Sequence, residues 1–154
     1  MTLLQLSLLT LKQGALLFWA LWLTLVFLAN LCDFLKHVGI LGDGWKFASG
    51  NFDLIRKTTD VYHLPEIAVR ILFVGILLWE ALATLLMGAA LFTFSGDMTG
   101  AIYTAFGVGL GLWAAFLIAD EVFVAYPMES THFPIFIAQL ITLLALYVLP
   151  NAAK

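Results

Sequence analysis

In "LFVGILLWEALATLLMGAALF", residues 72–92, a single acid, Glu80, interrupts a run that is otherwise apolar enough to lie within a bilayer. A carboxyl group at that depth has three possible uses. It can hydrogen-bond to another helix, contact a ligand or cofactor, or relay a proton or ion. The interhelical bond is the leading reading, and the relay is the weakest because no second intramembrane acid accompanies Glu80. Thr84 lies one turn further on, and Thr24 and Gln139 lie in other apolar stretches, so these three are the expected hydrogen-bond partners. If the site instead takes a ligand, Glu80, Trp79 and Thr84 are the expected contacts.

A second set of residues has the chemistry of metal ligands. Glu129 and His132 stand in Glu-x-x-His spacing, and His63 and Glu66 stand in its reverse, beside Asp120 and Glu121. On a helix, a three-residue spacing puts two side chains on one face, as in carboxylate-bridged di-iron bundles. Oxygen and imidazole donors of this kind suit iron, copper or zinc. Those motifs occupy helix interiors, however, whereas these pairs flank Pro65 and Pro134, where helices are expected to start. Capping and interfacial solvation therefore stand ahead of metal binding. Glu66 and Arg70 form an i,i+4 pair that reads as structural. Cys32 is the only cysteine, which excludes internal disulfides and cysteine-rich metal sites. The chain has no Gly-rich phosphate loop, no G-x-S-x-G, no HExxH and no paired histidines within an apolar stretch. No cofactor can be named from the sequence.

The elements that position these residues follow from composition. Hydrophobic residues make up 63% of the 154 and charged residues 11%, against roughly 25% charged in a soluble domain. Lipid must solvate so apolar a chain, and one all-α membrane domain spanning 1–154 is expected. Four stretches are long enough to cross, at about 14–34, 67–94, 100–124 and 134–149. Pro65 and Pro134 fit the first turn of the second and fourth spans. The second span holds twelve Leu, Ile, Val and Phe residues between positions 71 and 92. Each favours insertion by roughly 0.3–0.6 kcal/mol, against a cost of about 2.5–3.5 kcal/mol for a central charged residue. The span inserts despite Glu80, which should face protein rather than lipid.

Residues 1–11 read as a short interfacial helix before the first span, with one long helix as the alternative. Between the first two spans, residues 51–59 read as a short amphipathic helix lying on the membrane, or less simply as a lid over a cavity. Four spans place the 35–66 and 125–133 loops on one face and the termini with the 95–99 turn on the other. All three histidines, His37, His63 and His132, then share the loop-rich face. Lysine and arginine counts do not decide which face is cytoplasmic. Gly107 and Gly111 form a GxxxG pair that predicts close helix packing in the third span.

Four segments, "NLCDFLKHV" (30–38), "LLWEALATLL" (77–86), "LGLWAAFLIADEVF" (110–123) and "ALYVLP" (145–150), resemble a bacterial family of predicted small integral membrane proteins of unknown function. Trp79-Glu80-Ala81 and Asn30-x-x-Asp33 are the most distinctive parts. The resemblance implies four transmembrane helices and a deliberate placement of Glu80, and names no activity. The expectation is a four-helix integral membrane bundle, in a bacterial inner membrane, with no nucleic-acid partner at a net charge of −3. With catalytic motifs missing, its expected role is a non-catalytic accessory or stabilising subunit of a larger membrane complex, or of a homo-oligomer. The alternative is a small membrane protein, possibly an enzyme, that binds a metal, quinone or other apolar ligand between its helices.

Overall fold

A computed structural model describes residues 3–150, with side chains from Ser7 onward. It is all-helical among these residues: α1 Leu3–His37, α2 Asn51–Thr59, α3 Glu66–Thr93, α4 Gly100–Val122 and α5 Tyr126–Val148, with a single 3-10 turn at Asp60–Tyr62. Four of them, all but α2, are long and apolar enough to cross a membrane. The protein is an integral membrane four-helix bundle with a short helix in its first loop.

The faces of α3 show how the sequence sorts itself. Two turns advance 7.2 residues, so positions seven apart stay on one side. Ile71, Leu78, Leu85 and Phe92 are exposed along one face, where only lipid can solvate them. Phe73, Glu80 and Met87 lie along the buried face, with Val69, Leu77, Ala83 and Ala90 beside them. On α1 the inward positions are Lys12, Leu16, Trp19, Leu23 and Asn30.

Neighbouring helices follow chain order: α1 packs on α3, α3 on α4 and α4 on α5, with α2 lying against α1 and α3. At the end bearing the termini, side chains join α1 to α5. Trp19 Nε1 donates to Thr142 Oγ1 at 3.1 Å, and Lys12 Nζ donates to the Leu149 carbonyl at 3.0 Å. An ammonium at the C-terminal end of α5 also meets the negative pole of that helix. This half is filled by Leu16, Trp19 and Leu23 against Met87, Phe106 and Leu146. In the other half, Phe52 of α2 plugs into Val69, Phe73 and Leu77 and stacks on His37 at 3.7 Å.

Two boundaries differ from the sequence expectation. No break occurs at Lys12-Gln13-Gly14, so α1 is one long helix rather than a surface helix followed by a span. Its 35 residues extend about 52 Å, well beyond a hydrocarbon core of about 30 Å. The fourth span begins at Tyr126, not Pro134. Pro127 takes the first-turn position, and Pro134 lies inside α5, where its missing N–H removes the usual partner of the Ser130 carbonyl.

Candidate functional site between the helices

The loop-side halves of all five helices border a half-open cavity of about 630 Å³. Trp22, Val26 and Asn30 come from α1, Phe73, Ile76, Trp79 and Glu80 from α3, and Leu112, Trp113, Phe116 and Asp120 from α4. Met128, His132 and Ile135 come from α5. Asn51, Leu54, Ile55 and Thr58 of α2 form a roof. The segment expected to lie on the membrane surface therefore also covers the space between the helices.

Local chemistry fixes that roof. Gly50 precedes α2 with φ 77°, in the left-handed region that glycine adopts without strain, and it has no side chain to cap the helix. Asp33 of α1 does so from outside: its Oδ2 accepts from the Phe52 amide at 2.7 Å and from Ser49 Oγ at 3.3 Å. Asn30 lies one turn earlier on α1. Its Oδ1 accepts from Asn51 Nδ2 at 2.8 Å, while its own Nδ2 donates to Glu80 Oε1 at 2.6 Å. Asn30 and Asp33 thus hold the start of α2, and Asn30 carries the chain of bonds down to Glu80.

Glu80 is 1% exposed, and its second oxygen, Oε2, has no hydrogen-bond partner among the described residues. An unsatisfied buried polar group costs about 1–3 kcal/mol, more when charged. Trp113 stacks on Trp22 at 5.5 Å, and its buried Nε1 also lacks a partner. Elsewhere on the lining, Asp120 Oδ2 lies 2.7 Å from His132 Nδ1, and the imidazole stacks on Phe116 at 4.9 Å. The tight α4–α5 connection brings this pair together. It turns through Val124 at φ 56°, and the Ala125 amide donates back to the Asp120 carbonyl at 2.7 Å.

The expected site residues separate. Trp79 and Glu80 line the cavity, and Trp79 Nε1 donates to the Val108 carbonyl, pinning α3 to α4. Thr84 stands outside the lining with its own hydroxyl buried and unpartnered. Thr24 donates to Ala20 of its own helix, and Gln139 packs against Gly109. Asn30 is the partner of Glu80, a role the sequence reading gave to those three.

The six candidate metal ligands do not converge. His63 is exposed beside Asp60, and Glu66 is engaged by His37 at 3.1 Å and Arg70 at 3.3 Å. Asp120 holds His132, and Glu129 neighbours Glu121. Among the described residues no three His, Cys, Asp or Glu side chains gather closely enough to hold a metal ion. Asp120 with His132 and Glu121 with Glu129 meet across the α4–α5 turn, while His63 and Glu66 have other partners, so the six read from spacing do not form one group.

The GxxxG pair divides as well. Gly111 lies against the Trp79 ring, where an added Cβ would come within 3.3 Å. Gly107 faces open space. The close approach on α4 is at Gly109, where a Cβ would meet Gln139 Nε2 at 2.6 Å.

Asn30, Asn51, Asp33 and Trp113 were not among the expected site residues. Asn30 and Asp33 carried one signal, two polar side chains three residues apart on one face near the end of an apolar span. Compared with family models, curated proteins and solved structures, the chain matches none.

Proposed function

We propose that this protein binds an apolar small molecule with a polar head in the cavity between its helices, in a bacterial inner membrane. The bacterial assignment rests on the sequence resemblance alone. The binding reading is carried by one observation: Glu80, whose buried second carboxyl oxygen has no partner among the described residues, belongs to the lining of a largely apolar, aromatic cavity. Ligand sites have this composition, apolar walls with a few placed polar groups. A purely structural carboxyl would be expected to satisfy both oxygens within the bundle.

An accessory-subunit role is the second reading, favoured by α5. Only Gln139 and Leu146 of that helix are buried, so most of its apolar surface is open to lipid or to a partner helix. One preparation separates the two. The protein is purified from native membranes in lipid nanodiscs, and both its small-molecule extract and its co-migrating proteins are identified by mass spectrometry. Ligand binding predicts a stoichiometric organic molecule on the isolated chain, lost in Glu80→Gln. A preparation without such a molecule, containing stoichiometric larger membrane proteins, would replace this reading with the accessory one.

A further inference from the structure

The chemical class of the ligand follows from the charges around Glu80, on the premise that the cavity is a ligand site. A carboxyl group withdrawn from water takes up a proton unless an opposite charge or hydrogen bonds to its lone pairs hold it ionised. Asn30 supplies one bond to Oε1, and among the described residues nothing reaches Oε2. No lysine or arginine lines the cavity among the described residues. Of the bases at this end, Arg70 pairs with Glu66, Arg56 with Asp53 and Lys36 with the carbonyls of Asp43 and Trp45, while Lys46 and Lys57 are exposed and outside the lining. Lys12 lies at the opposite end of the bundle, on Leu149.

His132 does not change the balance. Its Nδ1 faces Asp120, and in either protonation state of the imidazole the pair with an ionised Asp120 carries no net positive charge. The polar groups of the cavity are therefore acidic or neutral. Much of the remaining wall is aromatic, with Trp22, Trp79, Trp113, Phe73 and Phe116 among the lining side chains. Ring faces attract cations, tryptophan most strongly, and the attraction rises when water is excluded.

We infer that the cavity takes a lipophilic organic cation, an amine or quaternary ammonium with apolar substituents. Its charged nitrogen lies against Glu80 and its substituents lie on the tryptophan and phenylalanine faces. Such a ligand supplies the charge that Oε2 lacks and matches the rest of the wall. A neutral acceptor such as a quinone could take hydrogen bonds from the Trp113 indole N–H or the Thr58 and Thr131 hydroxyls, but it would leave an ionised Glu80 without a counter-charge.

The test uses two probes of one shape, benzyltrimethylammonium and its uncharged carbon isostere neopentylbenzene. Binding of each to the full chain in nanodiscs is measured by equilibrium dialysis, with empty nanodiscs subtracted. The expected result is saturable binding of the cation, tighter than the isostere by about tenfold or more. Glu80→Gln keeps the shape of the side chain and should lose about tenfold or more of the cation affinity, while Trp22→Leu should lose a smaller factor. If Glu80→Gln fails to fold, as judged by circular dichroism and size-exclusion profile, the two probes on the unsubstituted protein still decide. Equal affinity for the isostere, or full cation affinity in a folded Glu80→Gln, would overturn the cation assignment and leave the cavity as a ligand site. Saturable binding of neither probe would overturn both.

Discussion

At the scale of single residues, the polar side chains inside the bundle set its geometry more than the apolar ones do. In lipid, apolar contact has no water to escape, so close packing and hydrogen bonds choose which helix faces meet. Gly109 shows this. It is buried against the Gln139 amide, and the two fix how closely α4 approaches α5. Gly109→Leu should destabilise the fold by about 1–3 kcal/mol through overpacking, whereas Gly107→Leu should change it by no more than about 0.5 kcal/mol. Helix content through a titration with a denaturing detergent measures both, and equal effects would remove Gly109 from the contact. Gly109→Ala should be partly rescued by Gln139→Ala, since the end of that amide occupies the space a Cβ needs. The inward placement of Glu80 was legible because one acid in an apolar run must face protein. Its partner was not, because Asn30 lies 50 residues away and is selected by how α1 and α3 rotate about their axes. Sequence spacing carries no information about that rotation, and the three partners it nominated were chosen by chemistry alone.

At the scale of elements, α2 depends on α1 for its own start. Its preceding residue is a glycine, and Asp33 supplies the acceptor that a capping side chain would normally provide. Asp33→Ala should cost about 0.5–2 kcal/mol, concentrated in α2. Hydrogen exchange should speed up across residues 51–62 while α3 and α4 keep their protection, and uniform loosening of the whole chain would contradict a local capping role. The α4–α5 turn gives the opposite sign. Val124 is β-branched, lies at φ 56° and is exposed, so it bears backbone strain with little packing to offset it. Val124→Gly should raise the unfolding midpoint, by an amount corresponding to about 1 kcal/mol. The four spans were legible from hydropathy, and the short loop helix from its amphipathic pattern. The start of the fourth span was not, because Pro127 and Pro134 both fit a first turn by residue type. A proline inside a membrane helix is tolerated when neighbouring groups satisfy the freed carbonyl, so the sequence rule lost its force there.

At the scale of the whole molecule, the two ends of the bundle are built differently. The end bearing the termini is filled, with Lys12 tied to the last turn of α5 and the charge of Asp97 nearby. The other end is hollow, roofed by α2 and lined by Glu80, Asp120 and His132. This polarity was legible from the placement of the histidines and acids in two loops that four spans must put on one side. The cavity was only an alternative in the sequence reading, because a void depends on which side chains fail to meet. The arrangement makes a prediction independent of any ligand. Cys32 is the only cysteine, so a Cys32→Ser background allows single reporters at exposed positions near the helix ends. Ser49 and Ser130 lie at the hollow end, and Ser95 lies in the turn at the filled end. In sealed vesicles, a membrane-impermeant maleimide should reach Ser49→Cys and Ser130→Cys from one side, and Ser95→Cys only from the other. Labelling of Ser49→Cys and Ser95→Cys from the same side would mean that α3 does not cross, and Glu80 would then lose its place at the base of an intramembrane site. With the expected pattern, the side on which Ser49→Cys reacts also names the compartment toward which α2 and the hollow end face, a direction that the lysine and arginine counts leave open.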